Sequence, residues 1–246
     1  MIKNIYVFGA TSKIAEETIK HFAKESANFY LVGRDIDKLG IVSKDLLARG
    51  ANKVELETCN ALDWEKHTAT VDKADNSIGQ LDLIFIAHGT LPVNEDIRNN
   101  QMKVIEEFNI NCTSVISLCT VASEYFEKKG KGTIAVISSV AGERGRQSNF
   151  IYGSAKGGVT KYLEGLRNRL FEKGIKVITI KPGMVDTPMT KDFKKGLLFA
   201  SPSRVGKEIY KGIKIGRDVM YVPGYWKIIM GIIKSIPESI FKKLKL

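Results

Sequence analysis

The stretch Ile5-Tyr-Val-Phe-Gly-Ala-Thr-Ser-Lys-Ile-Ala15 runs from an apolar, β-branched and aromatic segment through one glycine into a helical pattern. The apolar segment is typical of a buried strand, and the spacing after it is typical of a helix. Gly9 permits a tight turn, and Thr11 or Ser12 can cap the helix, whose first backbone amides then face an anion. The stretch therefore predicts a strand, a turn and a helix that bind a phosphate group, although such a turn is about as common in plain structure.

Strand and helix patterns alternate along the rest of the chain. Six apolar runs have the composition of buried strands, at residues 2–8, 28–32, 53–57, 81–87, 133–138 and 176–180. Helical patterns lie between and after them, at residues 14–24, 38–49, 64–77, about 96–128 and 152–173. This order predicts an α/β protein with a single Rossmann-type, doubly wound parallel sheet of about seven strands, flanked by helices. A ligand would bind beyond the carboxyl ends of the strands.

Composition places the chain among soluble globular proteins. It has 246 residues, of which 43% are hydrophobic and 26% charged, and its three cysteines are too few for a disulfide framework. The three histidines lack the close spacing of a zinc site, so we expect no metal. Too few apolar residues precede Gly9 for a signal peptide, which favours a cytoplasmic location.

The domain prediction is one unit with a tail. Residues 1–224 would form a dinucleotide-binding and catalytic domain with a substrate-loop region at 188–218, and residues 225–246 a basic amphipathic tail. The formal net charge is +11, and residues 181–246 hold 14 basic and 5 acidic side chains. We expect no nucleic acid as a partner, because this segment lacks interleaved aromatic residues and a groove-reading motif.

Tyr152 and Lys156 stand four residues apart at the start of a helical pattern, so their side chains share one face. A phenol beside an ammonium is a proton donor with a lowered pKa, because the positive charge favours the phenolate. Ser139 closes the preceding strand, where its hydroxyl can hold a substrate carbonyl. Tyrosine and lysine at this spacing are also common on an ordinary helix surface, so the pair alone does not decide the function.

Taken together, these motifs resemble the short-chain dehydrogenase/reductase family over residues 1–225. The family's Ser–x12–Tyr–x3–Lys arrangement falls on Ser139, Tyr152 and Lys156, its helical asparagine on Asn111, and its Pro-Gly-x-Val-x-Thr motif on residues 182–187. The resemblance implies an oxidoreductase that transfers a hydride between a nicotinamide cofactor and a carbonyl or secondary alcohol. It also implies that the protein pairs as a homo-oligomer.

The resemblance assigns a role to each of four catalytic residues. Tyr152 would donate a proton to the carbonyl oxygen, and Lys156 would lower the tyrosine pKa and hold the nicotinamide ribose. Ser139 would position the carbonyl, and Asn111 would anchor a water molecule that connects Lys156 to solvent. A nucleotide-binding sensor or scaffold without turnover is the alternative, since the family's glycine-rich turn is altered here.

The candidate cofactor-binding residues lie at the predicted carboxyl ends of the strands and along the catalytic helix. They are Gly9, Thr11, Ser12, Lys13, Ile14, Arg34, Asn60, Ala61, Ala87, His88, Gly89, Tyr152, Lys156, Pro182, Gly183, Val185 and Thr187. Of the three glycines of the family's turn only Gly9 remains, because Lys13 and Ala15 replace the others. A Cβ at position 13 is costly if the backbone needs a positive φ there. The Lys13 ammonium would lie against a cofactor phosphate or in solvent.

The end of the second predicted strand bears on the choice of cofactor. Relatives that use NAD carry an aspartate where this chain has Gly33, and Arg34 follows. A guanidinium without a neighbouring carboxylate favours the 2′-phosphate of NADP(H). NAD(H) stays open, because an arginine can also stack on the adenine without contacting a phosphate.

The tail contains an apolar stripe flanked by lysines. Trp226, Ile229, Ile233 and Ile236 can line one face, which continues at Ile240 and Leu244 after a break at Pro237. Such a face suits a helix on an anionic membrane surface, or it packs on the protein core or a subunit interface.

Within the family, the turn at 9–12, the segment 87–92 and the basic end are similar to reductases that resemble the decaprenylphosphoryl-2-keto-pentose reductase. That similarity implies a keto-sugar carried by a polyprenyl phosphate, met by a protein peripheral to the inner face of the membrane. Arg144 and Arg146 could approach its phosphate, or lie at the surface or in a subunit contact.

Overall fold

The structure is a computed structural model that describes residues 1–244. Seven strands form one sheet: β1 (Asn4–Phe8), β2 (Asn28–Gly33), β3 (Lys53–Thr58), β4 (Leu83–Ile86), β5 (Gly132–Ile137), β6 (Ile175–Pro182) and β7 (Val219–Val222). Their order is β3-β2-β1-β4-β5-β6-β7, and every neighbouring pair is parallel. This confirms the predicted Rossmann-type sheet.

Helices connect successive strands and cover both faces of the sheet. They are α1 (Lys13–Ala23), α2 (Ile36–Ala48), α3 (His67–Ile78), α4 (Asn94–Ile97), α5 (Gln101–Phe108), α6 (Ser114–Lys129), α7 (Phe150–Phe171), α8 (Pro202–Ile215), α9 (Trp226–Ser235) and α10 (Glu238–Phe241). Apolar side chains of α1, α2 and α8 pack on one face and those of α3, α6 and α7 on the other. Alternate residues of β1 point to opposite faces, so Ile5 joins the first core and Tyr6 the second.

The strand order reverses between β1 and β4, because the chain winds outward from β1 in one direction and from β4 in the other. Connections on the two sides of this point leave a crevice at the carboxyl ends of the strands, where doubly wound sheets bind ligands. The turn after β1 and the residues after β4 and β5 border that crevice.

Several predicted boundaries need correction. The single long helix expected at about 96–128 is divided into α4, α5 and α6, and a π-helical turn at Asn109–Thr113 joins the last two. The first strand begins at Asn4 rather than at residue 2. No apolar run predicted β7, because it has only four residues and Val219 is exposed. The region 188–218 contains α8, which packs closely on α1 because Gly206 has no Cβ to meet the Glu17 backbone.

The tail forms α9 and α10, with the expected break at Pro237, and its last two residues lie outside the described part. Trp226, Ile229 and Ile233 pack around Val140 and Tyr221 on the body of the protein. Of the two alternatives left open for these three side chains, packing on the protein is the one that the structure has. The apolar side chains that α9 and α10 leave exposed are Ile228, Ile232 and Ile240. Among residues 1–244 no helix has the length and apolar character needed to cross a bilayer.

Candidate active site

Two adjacent cavities, which share lining residues, lie in the crevice where the strand order reverses. The turn cavity, of about 280 Å³, borders the turn after β1. The tyrosine cavity, of about 150 Å³, is bordered by the first turns of α7. The residues that line both are Ser12, Ile14, Ala87, His88, Gly89, Thr187 and Met189.

The turn after β1 approaches the segment after β4 too closely for any residue but glycine. Gly9 has a φ of +81°, and a Cβ there would lie 2.5 Å from the backbone nitrogen of His88. The next element, α1, has no side-chain cap, because Ser12 makes no hydrogen bond to the first turn. Its first backbone amides therefore lie free at the rim of the cavity, a position that suits a phosphate group.

Lys13 takes an ordinary place in this turn. It is the first residue of α1, and its φ is not positive, so the strain considered for a Cβ at this position does not arise. Its ammonium contacts Glu16 at 2.9 Å and Glu17 at 3.3 Å. The side chain lines the turn cavity while its charge is paired along the helix. Ala15 is fully buried, which allows α1 to pack closely on the sheet.

The far end of the turn cavity holds the residues expected to meet the adenosine part of a dinucleotide. Arg34 follows β2, is exposed, and has no carboxylate within 4.0 Å among residues 1–244. The side-chain oxygen of Asn60 accepts a hydrogen bond from the Leu62 amide at 3.1 Å, which leaves its second lone pair and its amide nitrogen for a ligand. Ala61 lies beside it.

His88 presents a neutral acceptor between the two cavities. Ser114 donates its hydroxyl proton to the Ile110 carbonyl at 2.7 Å, so the Nε2–H of His88 donates to the Ser114 oxygen, also at 2.7 Å. The other ring nitrogen, Nδ1, is buried and has no hydrogen-bond partner among residues 1–244. Burial and the nearby Lys156 charge lower the pKa of His88 to about 3. The ring is therefore uncharged at neutral pH, and its buried Nδ1 is an acceptor that no group among residues 1–244 uses.

Ser139, Tyr152 and Lys156 line the tyrosine cavity together. Tyr152 and Lys156 come from the first turns of α7, and Ser139 follows β5 and accepts a hydrogen bond from the Ala141 amide at 3.1 Å. The Lys156 ammonium donates to the Ile137 carbonyl at 3.1 Å and lies 5.8 Å from the centroid of the Tyr152 ring.

The neighbouring ammonium was expected to lower the pKa of Tyr152, but in the structure this pKa is raised. Burial raises the pKa of Tyr152 to about 12, and hydrogen bonding to Ser139 acts in the opposite direction. Burial also lowers the pKa of Lys156 to about 8. Both changes have one cause, because a desolvated site penalises the charged form of each group.

Asn111 lies in the π-helical turn and lines neither cavity. Its side-chain oxygen accepts from the Thr90 amide at 3.0 Å, and its nitrogen donates to the Thr90 hydroxyl at 2.9 Å. A Cβ on Gly89 would lie 2.8 Å from that oxygen and 3.4 Å from the Lys156 ammonium. Asn111 thus holds the segment after β4 next to Lys156.

All the residues expected to bind a cofactor line one or both cavities. The motif after β6 contributes Pro182, Gly183, Val185 and Thr187 to the tyrosine cavity. Asn149 and Trp226 also line the tyrosine cavity, although neither was predicted from the sequence as a site residue. Trp226 reaches the site because its indole packs directly on Gly183, where a Cβ would lie 1.9 Å from the indole nitrogen. No local pattern in the sequence signals that contact between the tail and the strand end.

The cavities fit a dinucleotide in three respects. Gly9 lets two backbone segments meet, the α1 amides are free for a phosphate, and His88, whose buried Nδ1 has no partner among residues 1–244, lines both cavities. Within residues 1–244 no group of three His, Cys, Asp or Glu side chains converges on a metal position.

The chain is similar to known oxidoreductases over most of its length. An uncharacterized oxidoreductase in the mprA 5′ region of Streptomyces coelicolor is 28% identical over 243 residues, covering 98% of this chain and 96% of that protein. The 3-oxoacyl-acyl-carrier-protein reductase of Bos taurus is 24% identical over 198 residues, covering 80% and 82%. A crystal structure of a variant actinorhodin polyketide ketoreductase with NADPH has the same fold, with a TM-score of 0.78 at 20% identity, covering 91% and 97%.

The family model described as short chain dehydrogenase matches residues 3–197, which include the turn at Gly9, the Ser139–Tyr152–Lys156 set and the motif at 182–187. The chain therefore belongs to the short-chain dehydrogenase family and is an oxidoreductase.

Proposed function

We propose that the protein reduces a ketone to a secondary alcohol with NADP(H), with Tyr152 as the proton donor. The observation that carries this proposal is that Ser139, Tyr152 and Lys156 line one small cavity, which shares lining residues with a second cavity suited to a dinucleotide. A nucleotide sensor without turnover would have no use for a buried phenol, hydroxyl and ammonium in one place, so the enzyme is favoured.

The chain's own residues have the following parts in this reaction. The nicotinamide ring, when bound, supplies the hydride. The Ser139 hydroxyl donates a hydrogen bond to the substrate carbonyl, and the Tyr152 phenol donates its proton to the same oxygen. The Lys156 ammonium stabilises the resulting phenolate and holds a ribose hydroxyl. Asn111 keeps the segment at Thr90 in place beside Lys156 and so acts as a positioning residue.

NADP(H) is favoured over NAD(H) by the charges at the end of β2. Gly33 offers no carboxylate to bind a ribose 2′-hydroxyl or to repel a 2′-phosphate, and the exposed Arg34 guanidinium follows it without an acidic partner among residues 1–244. A charge-assisted contact to the 2′-phosphate would therefore add affinity for NADP(H). His88, Gly89 and Thr187 would surround the rest of the cofactor between the two cavities.

For the substrate we propose a keto-sugar on a polyprenyl phosphate, bound by a cytoplasmic homo-oligomer at the membrane surface. The support is a set of exposed apolar side chains near basic ones. Phe193 follows the motif after β6 and lines the tyrosine cavity, and Leu197 is fully exposed nearby in the chain. On α9, Ile228 and Ile232 are exposed beside Lys227. This is the opposite side of α9 from the stripe at Trp226, Ile229 and Ile233.

Two experiments test this function. Purified protein should oxidise NADPH steadily in the presence of a ketone, and a complete lack of turnover with a broad ketone panel, despite NADPH binding, would favour the sensor. Flotation with vesicles that contain anionic lipid should carry the protein upward, and replacing Ile228 and Ile232 with serine should abolish it. The control is Ile41→Ser, which replaces an equally exposed apolar residue on α2, away from the tail. Met230 on α9 cannot serve, because it is buried and its replacement would disturb packing.

A further inference from the structure

Two arginines of the loop before α7 differ in what they contact. Arg144 donates to Glu238 at 2.8 Å and to the Lys234 carbonyl at 3.1 Å, and its guanidinium lies 4.0 Å from the centroid of the Phe241 ring. The guanidinium of Arg146 has no carboxylate within 4.0 Å among residues 1–244, and its one hydrogen-bond contact there is with the Met230 sulfur at 3.7 Å. Arg144 therefore anchors the tail, whereas the charge of Arg146 is unpaired.

The position of Arg146 is costly unless something pairs it. Its Nε atom is buried with no hydrogen-bond partner, and a thioether sulfur is only a weak acceptor. Burial lowers the pKa of the guanidinium from its usual value, although arginine keeps its charge. A partly buried cation with no counter-charge loses hydration without compensation, so an anion bound beside it would be stabilised.

The surroundings of Arg146 have further unpaired polar atoms. The indole nitrogen of Trp226 and the side-chain oxygen of Asn149 are buried without partners among residues 1–244. All three side chains line the tyrosine cavity with Tyr152. A buried indole N–H normally has an acceptor. Here a ligand in the cavity would supply it after a small adjustment of the surrounding side chains.

The charge around the tyrosine cavity has one sign. Its described lining contains two cations, Arg146 and Lys156, and no aspartate or glutamate. Two carboxylates on neighbouring segments already have partners, because Glu143 contacts Lys181 at 2.6 Å and Glu238 contacts Arg144 at 2.8 Å. Lys156 stabilises the phenolate in the proposed reaction, whereas the proposed reaction gives Arg146 no role.

We propose that Arg146 binds an anionic group of the carbonyl substrate, a phosphate or a carboxylate, and so makes the enzyme select ketones that carry a negative charge near the reacting carbonyl. This inference rests on the proposed ketone reduction and names its substrate class. The Nη1 group of Arg146, which has no partner among residues 1–244, would make the contact. Trp226 would donate to the same anion, and Asn149 would accept from a neighbouring substrate hydroxyl.

The first test compares matched ketones. NADPH oxidation is measured with dihydroxyacetone and its phosphate, and with ethyl acetoacetate and acetoacetate. We expect kcat/KM to be about 10- to 100-fold higher for the charged member of at least one pair, as for a charge-assisted hydrogen bond. The pair that responds distinguishes a phosphate from a carboxylate. Arg146→Gln should abolish that preference by lowering kcat/KM for the charged ketone towards the value for its neutral partner, and Arg146→Lys should keep part of it.

The control removes a positive charge elsewhere. Arg204 is exposed on α8 and already contacts Glu208 at 3.0 Å, so Arg204→Gln should leave the preference unchanged. Equal kcat/KM for both members of each pair in the unsubstituted enzyme, or a preference that survives Arg146→Gln, would overturn the inference.

A second test does not depend on turnover. The chain has two tryptophans, so a Trp64→Phe background leaves Trp226 as the only indole reporter. With the protein saturated by NADP⁺, inorganic phosphate and acetoacetate are titrated while the fluorescence of Trp226 is followed. A saturable change that Arg146→Gln removes supports the anion site even if no ketone is reduced, in which case only the proposed reaction fails. The absence of any saturable change with either anion counts against the site itself.

Discussion

The ammonium of Lys156 lies 5.8 Å from the centroid of the Tyr152 ring, and the lysine side chain is buried with one protein acceptor, the Ile137 carbonyl. Both ionisable groups are thus held in a desolvated site, where each is harder to charge than in water. The arrangement suits a reaction that needs a neutral phenol as donor and a cation ready to stabilise the phenolate. It also carries a cost in stability that can be measured.

Replacing Lys156 with methionine should stabilise the protein at neutral pH. Burial lowers the lysine pKa from 10.5 to about 8, so between these values the unfolded chain binds more protons than the folded protein. Stability from this group therefore rises with pH across that window. We expect Lys156→Met to raise the free energy of unfolding at pH 7 by up to about 3 kcal/mol.

Urea denaturation at pH 7 and near pH 10.5 checks this difference, because the gain should vanish at the higher pH. Lys161→Met, at an exposed position of the same helix, should change the free energy of unfolding by less than about 0.5 kcal/mol. A gain of equal size at both pH values would show that the buried charge is not its source.

Adding one methyl group at Gly9 should damage the turn. A Cβ there would lie 2.5 Å from the His88 backbone, and the φ of +81° disfavours any other residue. Gly9→Ala should lower the free energy of unfolding by about 2 kcal/mol or more and weaken NADPH binding. The matched change Gly165→Ala, in the interior of α7 with open space around it, should instead stabilise by about 0.5–1 kcal/mol. Thermal unfolding and NADPH titration of both variants test the contrast.

Arg34 should set the cofactor preference. Because its guanidinium is exposed at the end of β2 and would meet a 2′-phosphate, Arg34→Gln should raise the Kd for NADPH about tenfold. The Kd for NADH should change less than about twofold, since NADH has no phosphate at that position. Lys38→Gln, an exposed lysine on α2, serves as the control for general charge. Parallel weakening of both cofactors would instead assign Arg34 to the adenine ring.

Glu143 should be essential for holding the tail. Its side chain is 3% exposed and contacts Lys181 at 2.6 Å, Lys234 at 3.0 Å and the Tyr221 hydroxyl at 2.5 Å. Glu143→Gln leaves the buried Lys181 without a counter-charge and should cost about 3 kcal/mol in unfolding free energy. Glu164→Gln removes an exposed partner of Lys161 and should cost less than about 1 kcal/mol. Urea denaturation of both variants gives the two losses in unfolding free energy. Losses of similar size would mean that burial of the Glu143 ion pairs adds nothing to stability.

Features set by neighbours in the chain could be predicted from the sequence. The turn at Gly9 and the shared face of Tyr152 and Lys156 depend on residues a few positions apart, and the sheet follows from alternating apolar patterns. Features set by contacts between distant segments could not. Trp226 enters the tyrosine cavity because it packs on Gly183, and no local pattern encodes that contact.

The same distinction explains what the sequence left open and what it predicted wrongly. The stripe at Trp226, Ile229 and Ile233 has the same spacing whether it meets lipid or protein, so only the packed structure could decide. The expected effect of Lys156 on the Tyr152 pKa considered charge and left out desolvation, which requires knowledge of burial.

The central claim is that Tyr152 donates the proton in ketone reduction, and Tyr152→Phe tests it most directly. Phenylalanine keeps the ring beside Lys156 and removes only the hydroxyl. With a ketone that the unsubstituted enzyme reduces, single-turnover NADPH oxidation should slow by about 10²- to 10⁴-fold. The Kd for NADPH should remain within about twofold, because the ring and the lysine stay in place. An oxidation rate close to that of the unsubstituted enzyme would contradict the account.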